Sequence, residues 1–217
     1  MDNITIALPK GRLGDKVYSL FGEIGLSCEE SLNNNRKLVF HNDKIGISYF
    51  LVKPSDVGIY VERGVADIGV MGKDMLLEQE CDIYELCDLK LGKCRLAVAA
   101  MKDYTPNINK KLVVATKYVN VAKNYYAKQG QEIDIIKLNG SIELAACLGL
   151  ADVIVDIVET GATLKENGLE VITEIEPSSA RLIANKISFK FKNNKITDIA
   201  QKIQAVLMST HPPSAGV

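Results

Sequence analysis

A chain of 217 residues with 47% hydrophobic content can bury one large core or two small ones without disulfide staples or structural metals. Its 26 Lys and Arg stand against 27 Asp and Glu, a formal net charge of −1, which excludes a whole-molecule field for nucleic acid or an anionic membrane. Any anion must be held locally, and no run of about 20 apolar residues exists to cross a membrane.

The opening MDNITIALPKGR lacks the layout of a signal peptide, so a cytoplasmic protein is expected. A first strand reads from Ile4 to Leu8, followed by a helical pattern at Val17, Leu20, Phe21 and Ile24. Further strands are predicted at Lys37 to Phe40, Ile45 to Val52, Asp67 to Met71, Ile83 to Cys87 and Arg95 to Met101. Beyond them come Leu112 to Ala115, Ile133 to Leu138, Asp152 to Val155, Leu169 to Ile175 and Arg181 to Ser188. Helices are predicted at Asp56 to Arg63, Lys73 to Gln79, Asn120 to Lys128, Ile142 to Leu148, Ala162 to Asn167 and Ile196 to Met208. The alternation makes the fold class α/β. From Ser209 the chain reads STHPPSAGV, a tail with little to bury and two prolines that stop a helix.

Gly64-Val65-Ala66-Asp67-Ile68 and Gly149-Leu150-Ala151-Asp152-Val153 repeat one pattern: a helix-ending glycine, an Ala-Asp step and an apolar strand. Two similar half-units suggest two lobes, with crossings at the polar stretch Lys90 to Lys93 and at Glu176 to Ser179. Residues 1–90 and 178–208 then form lobe I, residues 91–177 lobe II, and 209–217 a disordered tail.

Chemistry can attach at several turns. Leu8-Pro9-Lys10-Gly11-Arg12 puts two cations around a glycine at the carboxyl end of a strand, where open α/β sheets bind ligands; a solvated pair gives the same pattern. It lacks P-loop spacing. Arg36-Lys37 follows an asparagine run, and an arginine fork can hold a diphosphate bidentately. Gly69 and Gly72 in ADIGVMGKD suit close approach of a base or ribose. The five cysteines contain no C-x-x-C pair and the histidines number two, so neither a zinc site nor a histidine-dependent nucleophile is expected.

Most informative is Asp152 to Leu164, DVIVDIVETGATL. A buried-type strand ends in acids and then Thr160-Gly161-Ala162-Thr163 before a helix. Unpaired N–H groups at a helix start, two threonine hydroxyls and a glycine make a phosphate cradle; the same residues also make an ordinary N-cap. Asp156, just ahead of them, would repel phosphate unless it addressed sugar hydroxyls or developing positive charge, or capped a turn. Asp152, close after Gly149, suits a cap at the strand's beginning.

Taken together these segments resemble the ATP phosphoribosyltransferase catalytic subunit family of histidine biosynthesis. The motif is Glu143, Gly149, Ala151, Ile154, Asp156, Thr160, Gly161, Thr163 and Leu164 at the family's spacing, with LPKGR, GVADIGVMGKD and SARLIAN in the expected order. The resemblance implies a two-lobed fold similar to type II periplasmic binding proteins, each lobe a mixed sheet flanked by helices. It implies a pentosyltransferase that moves 5-phosphoribosyl from phosphoribosyl pyrophosphate to N1 of ATP, releasing pyrophosphate; a non-catalytic two-lobed binder of an anionic small molecule is the alternative. By analogy Asp152, Asp156, Glu159, Thr160, Gly161, Ala162, Thr163 and Leu164 would meet phosphoribosyl pyrophosphate. Lys10, Gly11, Arg12, Lys37, Asp67, Gly69, Gly72, Asp74 and Glu143 would meet ATP, with Arg12, Arg36 and Asp156 as the catalytic residues. Mg²⁺ is expected to arrive with substrate rather than on protein ligands. The chain resembles the family's short form, which implies a homodimer and assembly with a regulatory subunit similar to histidyl-tRNA synthetase.

Overall fold

The computed structural model describes residues 3–28, 37–107 and 109–210. In chain order its elements are β1 (Ile4–Pro9), α1 (Arg12–Glu23), β2 (Val39–Asn42), β3 (Ile47–Val52), a 3-10 turn Pro54–Asp56, α2 (Val57–Glu62), β4 (Ile68–Gly72), α3 (Lys73–Gln79) and β5 (Tyr84–Asp88). There follow β6 (Cys94–Met101), β7 (Leu112–Thr116), α4 (Val119–Lys128), β8 (Ile133–Lys137), α5 (Glu143–Cys147), β9 (Val153–Val158) and α6 (Ala162–Glu166). The last are β10 (Leu169–Ser178), β11 (Ala180–Ala184), α7 (Lys186–Phe191) and α8 (Asn193–Thr210). The chain divides into two compact units. Unit 1 holds the residues through Gly72, Glu80–Gly92 and those from Ser179; unit 2 holds Lys73–Gln79 and Lys93–Ser178.

Unit 1 is built on a six-stranded sheet in the order β2-β3-β1-β4-β11-β5. The central strands β3, β1 and β4 run parallel, while β2, β11 and β5 join antiparallel to their neighbours. Ile4, Ile6 and Leu8 of β1 pack with Val17, Leu20 and Phe21 of α1 and with Ile196, Ile199 and Ile203 of α8. The final helix is therefore part of this core. It continues to Thr210, past the predicted start of the tail at Ser209; residues 211–217 lie outside the described residues.

The predicted strand Arg181 to Ser188 stops at Ala184. Asn185 is the reason. Its side chain accepts hydrogen bonds from the N–H groups of Ile187 at 3.0 Å and Ser188 at 2.9 Å, an N-cap that starts α7. Its amide nitrogen donates to the carbonyls of Val61 and Glu62, satisfying the end of α2.

Unit 2 has a five-stranded sheet in the order β10-β6-β9-β7-β8. Strands β9, β7 and β8 are parallel, and β6 and β10 are antiparallel to their neighbours. Alternation along the strands makes two apolar layers: Ala97, Ala99, Ala115, Ile154 and Val158 under α5 and α6, and Val98, Ala100, Val114, Val153 and Val155 with Ala122 and Tyr126 of α4. Each sheet is thus mixed and flanked by helices.

The expected lobe boundary misplaces one segment, since Lys73–Gln79 clusters with unit 2 rather than with the strand that precedes it. Packing accounts for this. Met75 and Leu77 lie against Leu96, Tyr118 and Val121, and the Glu78 carboxylate accepts from the N–H groups of Val119 and Asn120 at 3.0 and 2.8 Å.

Candidate active site

In unit 1 the turn Lys10-Gly11-Arg12 leaves the carboxyl end of β1, and all three residues are exposed. The Lys10 N–H still follows the strand ladder, donating to the Val52 carbonyl at 2.7 Å. Gly11 then turns at φ +93°, ψ −167°, a conformation open essentially to glycine, and α1 begins. A residue the sequence reading passed over fixes the turn's shape. A Cβ on Gly14 would sit 1.9 Å from the Pro9 carbonyl oxygen, so only glycine lets the helix lie this close to the strand end. Its signal was the spacing Gly11-x-x-Gly14 at a helix start.

The other candidates of unit 1 separate along β4. Gly72 ends that strand, which runs parallel to β1 with Ile68 opposite Ile6, and so lies at the same end of the sheet as Lys10. Gly69 is buried in mid-strand. A Cβ there would meet Val61 at 2.8 Å and Val57 at 2.9 Å, so this glycine admits α2 onto the sheet. Asp67 lies at the opposite, amino end, 6% exposed, bonded to the Thr5 N–H and to the Lys192 ammonium at 2.8 Å each. Lys37 is exposed with its ammonium 5.8 Å from the Phe40 ring centre; Arg36 lies outside the described residues.

In unit 2, β9 runs three residues beyond the predicted Val155, so Asp156 is inside the strand and the turn begins at Glu159. Glu159 and Thr160 are exposed, Gly161 is left-handed at φ +81°, and Ala162, Thr163 and Leu164 open α6. No side chain caps this helix at Gly161. The Thr160 hydroxyl accepts from the Ala162 N–H at a long 3.3 Å, and Thr163 contributes its carbonyl to Asn167. The turn thus keeps the donors and the open backbone of an anion cradle.

Asp156 is half-buried and accepts from its neighbour's N–H, Ile157, at 2.8 Å. Burial pushes its carboxyl above the ordinary carboxylate value; Ile157 N–H and Lys117 oppose the shift, while Glu143 and Asp74 add to it. Glu143 comes from the first turn of α5. Asp74 is buried, accepting from the Tyr118 hydroxyl at 2.8 Å and the Ser178 hydroxyl at 2.9 Å, so its carboxylate is committed within unit 2. Burial and the Asp74 charge together drive the Tyr118 phenol strongly upward. They raise the Cys94 thiol too, which keeps it protonated. Arg95 Nε lies 2.7 Å from Glu174, an ion pair whose angle falls short of a hydrogen bond.

Asp152 stands apart from this group. It precedes β9 at the amino end, accepting from the Val113 N–H at 2.8 Å and the Lys110 ammonium at 3.2 Å. Sequence reasoning did not single out Lys117, Tyr118 or Ser178. Lys117 carried a readable signal, because it follows the carboxyl end of β7 as Lys10 follows that of β1. Among the described residues, no three His, Cys, Asp or Glu side chains gather in a metal-binding group, and no helix is long and apolar enough to cross a membrane.

Mixed α/β sheets, with charged turns at strand ends, define a binding-protein-like fold. The substrate binding protein of an amino acid ABC transporter superposes with a TM-score of 0.60 at 14% identity, over 95% of this chain and 94% of that one, a likeness of fold alone. The ATP phosphoribosyl transferase (HisG:HisZ) complex from Thermotoga maritima gives a TM-score of 0.84 at 35% identity, over 95% of this chain and 99% of that one. The profile of the family "HisG: ATP phosphoribosyltransferase" matches residues 53–205. The ATP phosphoribosyltransferase of Brachyspira hyodysenteriae is 60% identical over 94% of this chain and its own full length, and that of Bacillus cytotoxicus 48% identical over 95% and 99%. The chain belongs to the ATP phosphoribosyltransferase family, pentosyltransferase enzymes of histidine biosynthesis.

Proposed function

We propose that the chain is the catalytic subunit that transfers 5-phosphoribosyl from phosphoribosyl pyrophosphate to N1 of ATP. The observation that carries the residue assignments is the exposed turn Glu159 to Thr163, where a left-handed Gly161 starts a helix whose first N–H, that of Ala162, has only a long 3.3 Å bond to the Thr160 hydroxyl. This turn and Leu164 would receive the 5-phosphate, with the half-buried Asp156 turned to the ribose. Lys10, Gly11 and Arg12, at the carboxyl end of β1, would serve the nucleotide and the departing pyrophosphate, with Gly72 at the same sheet end. Arg36 and Lys37 would assist the leaving group. Asp67 and Asp152 have their carboxylates engaged at the opposite ends of their strands, which favours a scaffold role for both.

Adenine N1 carries no proton to be removed before it attacks the anomeric carbon, so no strong general base is required. What must be stabilised is positive charge on the ribose and negative charge on pyrophosphate, which is work for position and electrostatics. A carboxylate at Asp156 favours oxocarbenium character, as carboxylates do at glycosidic centres. Mg²⁺ enters as part of the diphosphate substrate and offsets its charge. Assembly with a HisZ-like subunit in the cytoplasm accompanies this reading, supported by the 35% identity to the Thermotoga maritima HisG:HisZ complex.

The test mixes the chain with ATP, Mg²⁺ and phosphoribosyl pyrophosphate, with and without a HisZ-like subunit, and follows pyrophosphate release and adenine absorbance. Turnover is expected, with kcat in Arg12→Ala lowered by about 10² to 10³, the scale of losing one preorganised donor. Calorimetry of Thr160→Ala should show weakened binding of phosphoribosyl pyrophosphate. Binding without turnover in both conditions would leave a non-catalytic module as the better reading.

A further inference from the structure

Lys117 is a cation of unit 2, beside Asp156, that the proposed chemistry leaves unused. It lies one residue past β7, whose Thr116 is in register with Val155 of β9; one step further along the two parallel strands are Lys117 and Asp156. The turn that presents it is pinned. Buried Thr116 donates its hydroxyl to the Val155 carbonyl at 2.6 Å and accepts the Tyr118 N–H at 2.8 Å, so the strand end and the start of α4 are both tied to β9. The Lys117 ammonium rests 4.7 Å from the Tyr118 ring centre, and among the described residues it forms no ion pair or hydrogen bond.

The charges around Asp156 make this placement consequential. Glu143 of α5 and Asp74 of α3 both bear on it with negative charge, while the Tyr118 phenol stays neutral and donates to Asp74. From β6 the residue opposite is Ala97, and the arginine two positions before it, Arg95, is neutralised by Glu174 of β10. Cys94 at the start of β6 is held protonated, and Glu159 at the end of β9 adds another carboxylate. Against these carboxylates Lys117 is the cation that favours the ionised Asp156.

We propose that Lys117 is a positioning residue for the transfer, the counter-charge that holds the Asp156 carboxylate ionised before phosphoribosyl pyrophosphate arrives. The idea deepens the proposed function and rests on it for Asp156's role toward the ribose. A cation parked on an aromatic face, rather than locked in an ion pair, acts on the carboxylate through space and leaves its oxygens open to hydroxyl groups. The conservative replacement should preserve this action, since arginine also stacks on a ring and stays charged.

The experiment labels aspartate with ¹³C at Cγ, assigns the Asp156 resonance with Asp156→Asn, and titrates the substrate-free full chain. In Lys117→Met the Asp156 titration should move to higher pH by roughly one unit or more, the usual effect of an opposite charge nearby, while Lys117→Arg stays within a few tenths of wild type. The acid limb of kcat/KM should move upward by a similar amount in Lys117→Met and return in Lys117→Arg. Lys117→Gln, which keeps polarity without charge, should follow Lys117→Met, and a melting curve for each variant checks that it is folded. An unmoved Asp156 resonance in folded Lys117→Met and Lys117→Gln overturns the proposal. A moved resonance with no kinetic loss in Asp156→Asn would uphold the electrostatic link and strike instead at the assigned role of Asp156.

Discussion

Asp67 and Asp152 are equivalent residues, each fastening the amino end of a strand in its own unit with the same set of bonds. Asp67 accepts the Thr5 N–H at 2.8 Å while its own N–H donates to the Thr5 carbonyl at 2.8 Å; Asp152 does the same with Val113 at 2.8 and 2.9 Å. The residues before them match as well. Gly64 and Gly149 both end a helix in the left-handed region, at φ +73° and +69°. The next two N–H groups then return to one carbonyl, that of Tyr60 in unit 1 and Ala145 in unit 2. The repeated Gly-x-Ala-Asp of the sequence is thus a helix-to-strand joint used twice.

The joint should matter to stability more than to catalysis. Asp67 is nearly fully buried, while the Lys192 ammonium is partly exposed and also donates to the Asn3 carbonyl, so Asp67→Ala leaves the Thr5 N–H unpaired, weakens a charge pair and should cost about 2 to 3 kcal/mol. Asp152 pairs with an exposed lysine, which contributes little, so Asp152→Ala should lose only the N–H bond, about 1 to 2 kcal/mol. Urea unfolding measures both losses. A large change in KM for phosphoribosyl pyrophosphate in Asp152→Ala would return that residue to the site.

Sequence pattern carried most of this architecture because hydrophobic periodicity reports burial directly. The Lys73–Gln79 helix was legible to the residue, yet its allegiance to unit 2 was not, since that depends on Glu78 and Asp74 meeting residues more than forty positions away. Asn185 cut a predicted strand short for a similar reason: Ile187 and Ser188 read as β-formers until a cap competes for their N–H groups. The turn after β9 was legible as a turn because its signals, Gly161 between two threonines, are local. Asp67, Asp152 and Gly69 also have structural work that the sequence did not separate from ligand binding, because a buried clamp, its twin and a close-packing glycine use the same residue types as a binding site.

Gly14 gives a sharp steric test. In Gly14→Ala the new methyl meets the Pro9 carbonyl oxygen at 1.9 Å, a backbone atom that cannot rotate away, so α1 must lift from β1. Destabilisation upwards of about 3 kcal/mol is expected, beyond the usual range for overpacking. Gly22 in the same helix has nothing within 4 Å, and Gly22→Ala should stabilise by up to about 1 kcal/mol. Equal melting temperatures for the two variants would contradict this geometry.

Helix α4 takes its cap from outside itself. Its N-cap residue Tyr118 offers no side-chain cap, and the Glu78 carboxylate of α3 accepts from Val119, Asn120 and Val121 instead. Glu78→Ala should lower stability by about 1 to 2 kcal/mol, the scale of a lost cap with its favourable charge at the helix start. Glu78→Gln keeps an acceptor oxygen and should recover about half. Hydrogen exchange would place the loss at the first turn of α4; protection there that is unchanged in Glu78→Ala would refute the cap.

Asp156 should trade stability for function. Its folded carboxyl titrates above the ordinary value, chiefly because of burial, so folding favours the protonated form. The cost of the charged form is therefore greatest on the alkaline side of the folded value and disappears as pH falls toward the ordinary value of about 4. Asp156→Asn, neutral throughout, should melt higher than wild type at pH 7, and the gap should narrow steadily from pH 7 toward pH 4. Turnover should fall in the same variant, because the amide cannot answer positive charge on the ribose. Melting curves at several pH values together with kcat decide the matter: a variant less stable at pH 7 would mean that this carboxylate holds the fold together, and the strand would then have to supply the charge for transfer from elsewhere.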